Sequence, residues 1–144
     1  MKSISSDSGF DNLIKLLFSK TSGDQEFAYT ATLASNYSTS IFNFSSIIEG
    51  NHGENFMSIP NVKMDAYFHS HYASLDPIFS ASDVWAIYNI YKSGNISDLK
   101  TFTVGVVGAN GVIYLLKISD ESAFKSFFQN LTDVNITQLD LNLQ

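Results

Sequence analysis

The stretch Met64-Asp65-Ala66-Tyr67-Phe68-His69-Ser70-His71 decides the fold, because it predicts a strand that ends in two histidines. Side chains two residues apart on a strand point to the same face. His69 and His71 would therefore present their imidazoles together. Two imidazoles on one face of a strand can chelate a single cation.

A second short stretch, Ser80-Ala81-Ser82-Asp83, follows after a loop and is typical of the start of a helix. Ser80 is the expected N-cap and Asp83 lies in the first turn, so its carboxylate would point back toward the end of the strand. Two imidazole nitrogens and one carboxylate oxygen suit zinc, and three protein ligands leave a fourth position for water. The same residues could simply cap a helix. The coincidence of all four favours the metal site.

Apolar periodicity and turn residues predict the remaining elements. Helices are expected over residues 10–20 and 83–92, and a last helix should follow an N-cap at Ser119. Strands 26–35 and 40–48 should form a hairpin around residues 36–38. Strands 101–107 and 112–118 flank Asn110-Gly111, a strong hairpin signal, and their apolar runs place both in the centre of the sheet. The expected fold is an α/β or α+β sandwich, a mixed β-sheet flanked by helices, in a single domain over residues 1–144.

Composition narrows the classes of partner. The net charge is −6, the isoelectric point is near 4.7, and the chain has only eight lysine and arginine residues. These values argue against nucleic acid and anionic membranes as binding partners. No apolar run is long enough to span a bilayer, and the N-terminus lacks a signal core. The expected location is the cytoplasm if the chain is a complete protein by itself, and the sequence predicts no location if it is a domain of a larger protein. With no cysteine, the chain has neither disulfides nor thiolate ligands.

Other acidic, histidine and aromatic residues look structural. His52 and Glu54 lie in a glycine-flanked loop, a poor setting for a second metal site. Asp65 and Asp76 are expected to be solvated turn residues. Trp85 and Phe79 are each either a core anchor or the wall of a substrate groove. The core is favoured for Trp85 because it lies on a helix, and both alternatives remain for Phe79.

The pattern His69-x-His71-x8-Ser80-x-x-Asp83, with Glu26 located 43 residues before His69, resembles the JAMM motif of the JAB/MPN+ metalloproteases. The likeness extends over residues 10–118. The family usually has proline after the second histidine, where this chain has Tyr72; a proline comes later, at Pro77. The resemblance implies a cytidine-deaminase-like three-layer sandwich.

The resemblance also implies a division of labour. Zn²⁺ would be held by His69, His71 and Asp83 and would activate a water. Glu26 would act as general acid and base, and Ser80 would donate a hydrogen bond to the oxyanion of the tetrahedral intermediate.

The activity so implied is zinc-dependent cleavage of a peptide or isopeptide bond, with a peptide or protein substrate such as the tail of a ubiquitin-like or carrier protein. Two alternatives remain. Some members of the family are protein-interaction modules without catalysis, although these usually lack part of the motif. Nucleobase deamination is disfavoured, because the cysteine ligands of those enzymes are missing.

Overall fold

The computed structural model describes residues 4–34, 41–54 and 57–131. In these residues six strands form one mixed sheet and three α-helices accompany it, after a short 3-10 turn at Ile4–Ser6. The helices are α1 (Ser8–Ser19), α2 (Ala81–Lys92) and α3 (Glu121–Gln129). The strands are β1 (Phe27–Leu33), β2 (Phe42–Phe44), β3 (Ile48–Glu49), β4 (Ala66–Ser70), β5 (Thr103–Val107) and β6 (Ile113–Lys117). The expectation of a mixed α/β protein is confirmed.

Strand β4 lies in the middle of the sheet. It pairs antiparallel with β1 on one side and parallel with β5 on the other, within the order β2-β1-β4-β5-β6, while β3 also pairs with β1. Parallel neighbours need a long crossover connection, and α2 lies within it. All residues of β4 and β5 are buried. The two histidines therefore come at the carboxyl end of a parallel central strand, directly before the crossover helix.

Side chains of β4 alternate between two apolar clusters, one on each face of the sheet. Phe68 belongs to the cluster that α1 covers, and its ring meets that of Phe10 edge to face at 5.3 Å. Tyr67 belongs to the cluster that contains residues of α2 and α3. Gly105 makes room for Phe68, because a Cβ on Gly105 would lie 2.5 Å from the ring. Helices thus cover both faces of the sheet.

Strand β6 contradicts the expectation that both strands of the last hairpin are central. The hairpin itself is confirmed, with β5 and β6 antiparallel and Gly111 at φ 79° in the turn. However, β6 pairs only with β5 among the described residues and is largely exposed. Both strands are apolar runs, and such a run does not reveal which strand has a neighbour on each side.

Other boundaries differ in smaller ways. The segment expected as one strand over residues 40–48 is divided into β2 and β3, which both pair with β1. Ser119 is not the N-cap of the last helix: Asp120 is, and its carboxylate accepts a hydrogen bond from Ala123 N–H at 2.9 Å. The turn expected at residues 36–38 and the weak strand pattern after Asp133 lie outside the described residues. Of the described helices, none is long and apolar enough to cross a membrane.

The carboxylates of two buried aspartates accept hydrogen bonds from backbone N–H groups in distant parts of the sequence. Asp65, expected to be solvated, is buried and accepts from Leu33 N–H at 2.8 Å. Asp7 is the N-cap of α1 and accepts from Gly9 N–H, and it also accepts from the N–H groups of Ile41 and Phe42 at 2.6 and 2.9 Å. Burial alone would raise the pKa of Asp7, but these backbone donors outweigh it and lower that pKa. One carboxylate thereby joins α1 to the start of β2.

We expect Asp7→Ala to lower the free energy of unfolding by roughly 1–3 kcal/mol, the cost of leaving buried donors without an acceptor. Because the pKa of Asp7 is lowered in the folded state, its contribution is present above the ordinary aspartate pKa and is lost as the pH falls through the folded value. Urea denaturation at neutral and acid pH measures both effects. Asp11→Ala, at an exposed position in the first turn of α1, is the control. Equal losses in the two variants would contradict this role of Asp7.

Candidate metal centre

His69 projects from β4 toward the face of the sheet that α2 covers. It shares that face with Tyr67, whose ring stacks on the imidazole with centroids 5.3 Å apart. Only 2% of His69 is exposed, and its Nδ1 has no hydrogen-bond partner in the described part of the chain. The Nε2 atom faces the other members of the cluster formed by Glu26, His69, His71 and Asp83. The strand thus fixes the direction of the first expected ligand.

His71 lies one residue beyond the end of β4, although its N–H still donates to Val107 C=O at 2.9 Å. Its Nδ1 is 2.5 Å from the backbone oxygen of Asp76, and since a carbonyl can only accept, Nδ1 carries the proton. In the neutral ring Nε2 then keeps its lone pair. That atom lies 3.1 Å from His69 Nε2. The two histidines therefore converge, as the sequence predicts.

Asp83 enters the cluster from the first turn of α2. Its Oδ1 lies 2.6 Å from His69 Nε2, and its Oδ2 lies 3.4 Å from His71 Nε2. Ser80 and Asp83 also form a reciprocal capping box, in which Ser80 Oγ accepts from Asp83 N–H and Asp83 Oδ2 accepts from Ser80 N–H. The Asp83 carboxylate thus belongs both to the helix cap and to the cluster. The capping alternative and the metal-site alternative do not exclude each other.

Ser80 Oγ also donates its only proton to Asp83 Oδ2, at 2.8 Å. In this arrangement the hydroxyl orients the carboxylate. A hydrogen bond to an oxyanion, the role that the family resemblance implies, would require that proton to leave Asp83. The two roles predict different effects of a substitution at Ser80.

Glu26 completes the cluster from a distant part of the sequence. Ala28 pairs with His69 across β1 and β4, and the same antiparallel register continued by two residues sets Glu26 opposite His71. The Oε1 atom of Glu26 lies 3.6 Å from His71 Nε2, and the residue is only 4% exposed. Gly50 N–H donates to Glu26 C=O at 2.8 Å and holds the backbone there.

The cluster perturbs the acidity of its members. Burial is the largest effect on Glu26 and raises its pKa, although the nearby histidines oppose the shift. Burial alone would also raise the pKa of Asp83, but the charge of and the hydrogen bonds from His69 and His71 outweigh it and hold that pKa well below its usual range. Burial alone would lower the pKa of His71. The hydrogen bond to Asp83, together with the charges of Asp83 and Glu26 and the Asp76 backbone, outweighs burial and raises that pKa. The two carboxylates are thus pushed apart in pKa, a pattern found where acid and base roles are divided.

Glu26, His69 and His71 could hold a metal ion. Each offers one donor atom, and the three atoms lie within 4.8 Å of one another. Two imidazole nitrogens that share one zinc ion in a tetrahedral site stand about 3.3 Å apart, close to the 3.1 Å observed between the two Nε2 atoms. Asp83 Oδ1, at 2.6 Å from His69 Nε2, is at hydrogen-bonding distance, and binding the same ion would require these two atoms to move about 0.7 Å apart.

A cleft of about 250 Å³ opens beside the cluster. Glu26, His69 and Asp83 form one side of it, and its other walls are mostly apolar. Those walls include Met57, Ile59, Tyr67, Trp85 and Ala86. Trp85, for which the sequence favoured the core over the wall of a groove, packs on the apolar cluster of α2 and α3 residues and also lines this cleft. The cleft gives a ligand access to the buried cluster.

Several residues that support the site were not predicted. The backbone oxygen of Asp76 orients His71, but a carbonyl leaves no mark on side-chain patterns. Tyr67 could have been placed beside His69 from the strand period alone. Met57 reaches the cleft from a segment with no regular structure, and nothing in its local sequence indicates this.

No protein-family model, curated protein or solved structure matches this chain.

The first test of the site is metal binding. We expect the purified chain to bind one divalent ion, with excess ion at about a hundred times its dissociation constant adding roughly 2.7 kcal/mol to stability. His71→Ala should abolish this gain, because it removes one of the two convergent imidazoles. His52→Ala should leave it intact, because exposed His52 pairs with Asp24 at the surface. Calorimetric titration measures the stoichiometry, and thermal melts measure the gain. Equal binding by the two variants would exclude this centre.

A substitution at Ser80 separates its two possible roles. Glycine is nearly as good as serine at an N-cap, so Ser80→Gly should fold normally. If Ser80 orients Asp83, the variant should bind metal about 10- to 100-fold more weakly, as expected when an outer partner of a ligand is lost. If Ser80 instead serves only an oxyanion, metal affinity should not change and only turnover should fall. We expect the first result, and competition with a chromogenic chelator measures it.

Proposed function

We propose that this chain is a zinc-dependent hydrolase of peptide or isopeptide bonds. The single observation that carries the proposal is the convergence of Glu26, His69, His71 and Asp83 in one buried cluster that opens into a cleft. Two imidazoles with carboxylates, in a chain without cysteine, form the donor set that catalytic zinc sites use. The cluster also lies at the carboxyl end of a parallel strand, where α/β sheets commonly bind ligands.

The proposal includes the family and the finer architecture. The spacing of Glu26, His69, His71, Ser80 and Asp83 supports membership of the JAB/MPN+ metalloproteases. Helices on both faces of a mixed sheet agree with the cytidine-deaminase-like three-layer sandwich of that family. In this assignment His69, His71 and Asp83 hold the zinc ion and Glu26 is free for proton transfer.

Glu26 suits proton transfer because burial raises its pKa above the usual glutamate value. It takes a proton from the attacking water and delivers that proton to the departing amine nitrogen. The oxygen of the water becomes part of the new carboxylate as the C–N bond breaks. Zinc, when bound, supplies a Lewis acid that activates the water and polarises the scissile carbonyl.

The residues around the cluster keep its parts in place. The Asp76 carbonyl fixes the proton of His71 on Nδ1, so that Nε2 stays available. The Ser80 hydroxyl holds the Asp83 carboxylate toward the histidines. Both supports come from the chain between β4 and α2. The substrate implied is a peptide or a protein tail that can enter the cleft, such as that of a ubiquitin-like or carrier protein.

Glu26→Gln is the decisive variant. Glutamine keeps the shape of the side chain but cannot accept a proton at neutral pH, so hydrolysis should fall by roughly a hundred- to ten-thousand-fold. Zinc affinity should change little if Glu26 is the base. A large loss of zinc affinity would instead identify Glu26 as a ligand. Turnover of peptide and ubiquitin-like conjugates by zinc-loaded protein, together with zinc titration, distinguishes these results.

The control for that experiment is Glu54→Gln, an exposed glutamate in a surface loop. It should leave both turnover and zinc affinity unchanged. If wild-type protein cleaves no conjugate or peptide while a partner protein binds without zinc, the non-catalytic interaction module replaces the hydrolase.

A further inference from the structure

The cleft beside the cluster has features that select among ligands. Its volume of about 250 Å³ exceeds that of an apolar cavity of roughly 150 Å³ that holds a benzene molecule, so it can take one large side chain. Away from the cluster, apolar side chains that line the cleft include Met57, Ile59, Trp85 and Ala86, and the polar residues Ser58, Ser82 and Asn89 line it too. Such walls gain most from a ligand group that prefers to leave water.

Charge further restricts the ligand. Glu26, His69 and Asp83 lie on the cluster side of the cleft, and no lysine or arginine lines it in the described part of the chain. An acidic side chain would therefore lose its hydration against the apolar walls without gaining a salt bridge to a lysine or arginine. The carboxamide of Asn89, another residue that lines the cleft, donates to Trp85 C=O at 3.0 Å. One of the two amide protons of Asn89 is thereby satisfied within α2.

From these contacts we infer that the cleft is a specificity pocket for a large, uncharged apolar side chain, aromatic or long aliphatic, located next to the bond that is cut. The inference rests on the proposed hydrolase function for the identity of that bond. Ala86 determines how much room the pocket has, since it lies on α2 one turn after Asp83 and contributes little volume of its own.

Trp85 provides a direct measurement, because it is the only tryptophan in the sequence and it lines the cleft. A side chain that displaces water from the cleft should shift its fluorescence to shorter wavelength. The probes are capped pentapeptides with one variable residue between glycines, in which that residue is phenylalanine, alanine or aspartate. The protein is zinc-loaded Glu26→Gln, which should bind these peptides without cutting them.

We expect the phenylalanine peptide to shift the emission and to bind roughly 10- to 100-fold more tightly than the alanine peptide, the gain from burying a large apolar side chain. The aspartate peptide should bind most weakly. Adding Ala86→Leu to the same protein should remove the preference for phenylalanine, because leucine occupies the pocket. Ala123→Leu, at an exposed position on α3, is the matched control and should keep it. Zinc affinity should be equal in both leucine variants.

The outcomes separate the pocket from the hydrolase. Equal affinity for the three peptides, or a preference that survives Ala86→Leu, overturns the pocket. If wild-type zinc protein cuts all three peptides at the same rate, hydrolysis stands and the pocket fails. If the phenylalanine peptide binds with the expected preference but no peptide is cut, the pocket stands and the proposed hydrolysis fails.

Discussion

The balance of charge among four buried side chains is the constraint on which this structure depends. Glu26 and Asp83 are carboxylates removed from water, and a buried carboxylate is costly unless a cation or hydrogen-bond donors compensate it. His69 and His71 lie between them and supply that compensation, either as donors or by sharing a cation. At the start of α2, the N–H of Ser80 donates to the Asp83 carboxylate, and the positive end of the helix dipole lies beside it.

The loop between β4 and α2 is fixed at both sides and so keeps the cluster in register. Ala73 N–H donates to Thr21 C=O just after α1. On the other side Pro77 packs closely over Gly108, where an added Cβ would lie 2.5 Å from the proline Cβ. The Asp76 carbonyl that orients His71 lies between these two anchors. The loop has Tyr72 where the JAMM family has proline, and Tyr72 is buried. Pro77 occupies a different place and stiffens the loop against the β5–β6 turn.

Whether a feature could be predicted from the sequence depends on how far apart in the chain the interacting residues lie. His69 and His71 converge because the strand period is two, and Ser80 caps α2 because the capping pattern is local. The position of Glu26 depends on the register between β1 and β4, which no local pattern contains, and only a family resemblance indicated it.

Asp65 was wrongly predicted to be solvated, and β6 was wrongly predicted to be central in the sheet. Both errors have the same cause, because each position depends on neighbours distant in sequence. The mixed α/β class was predictable because helix and strand periodicities are local. The cleft was not, because Met57 and Trp85 meet only in three dimensions.

The uneven spacing of the cluster along the chain has a consequence for its history. His69, His71 and Asp83 fall within one short segment, so the loop that brings them together costs little chain entropy. Glu26 joins them through the pairing of β1 with β4, in which Ala28 lies opposite His69. A lineage could therefore exchange the residue at position 26 and keep the other three intact.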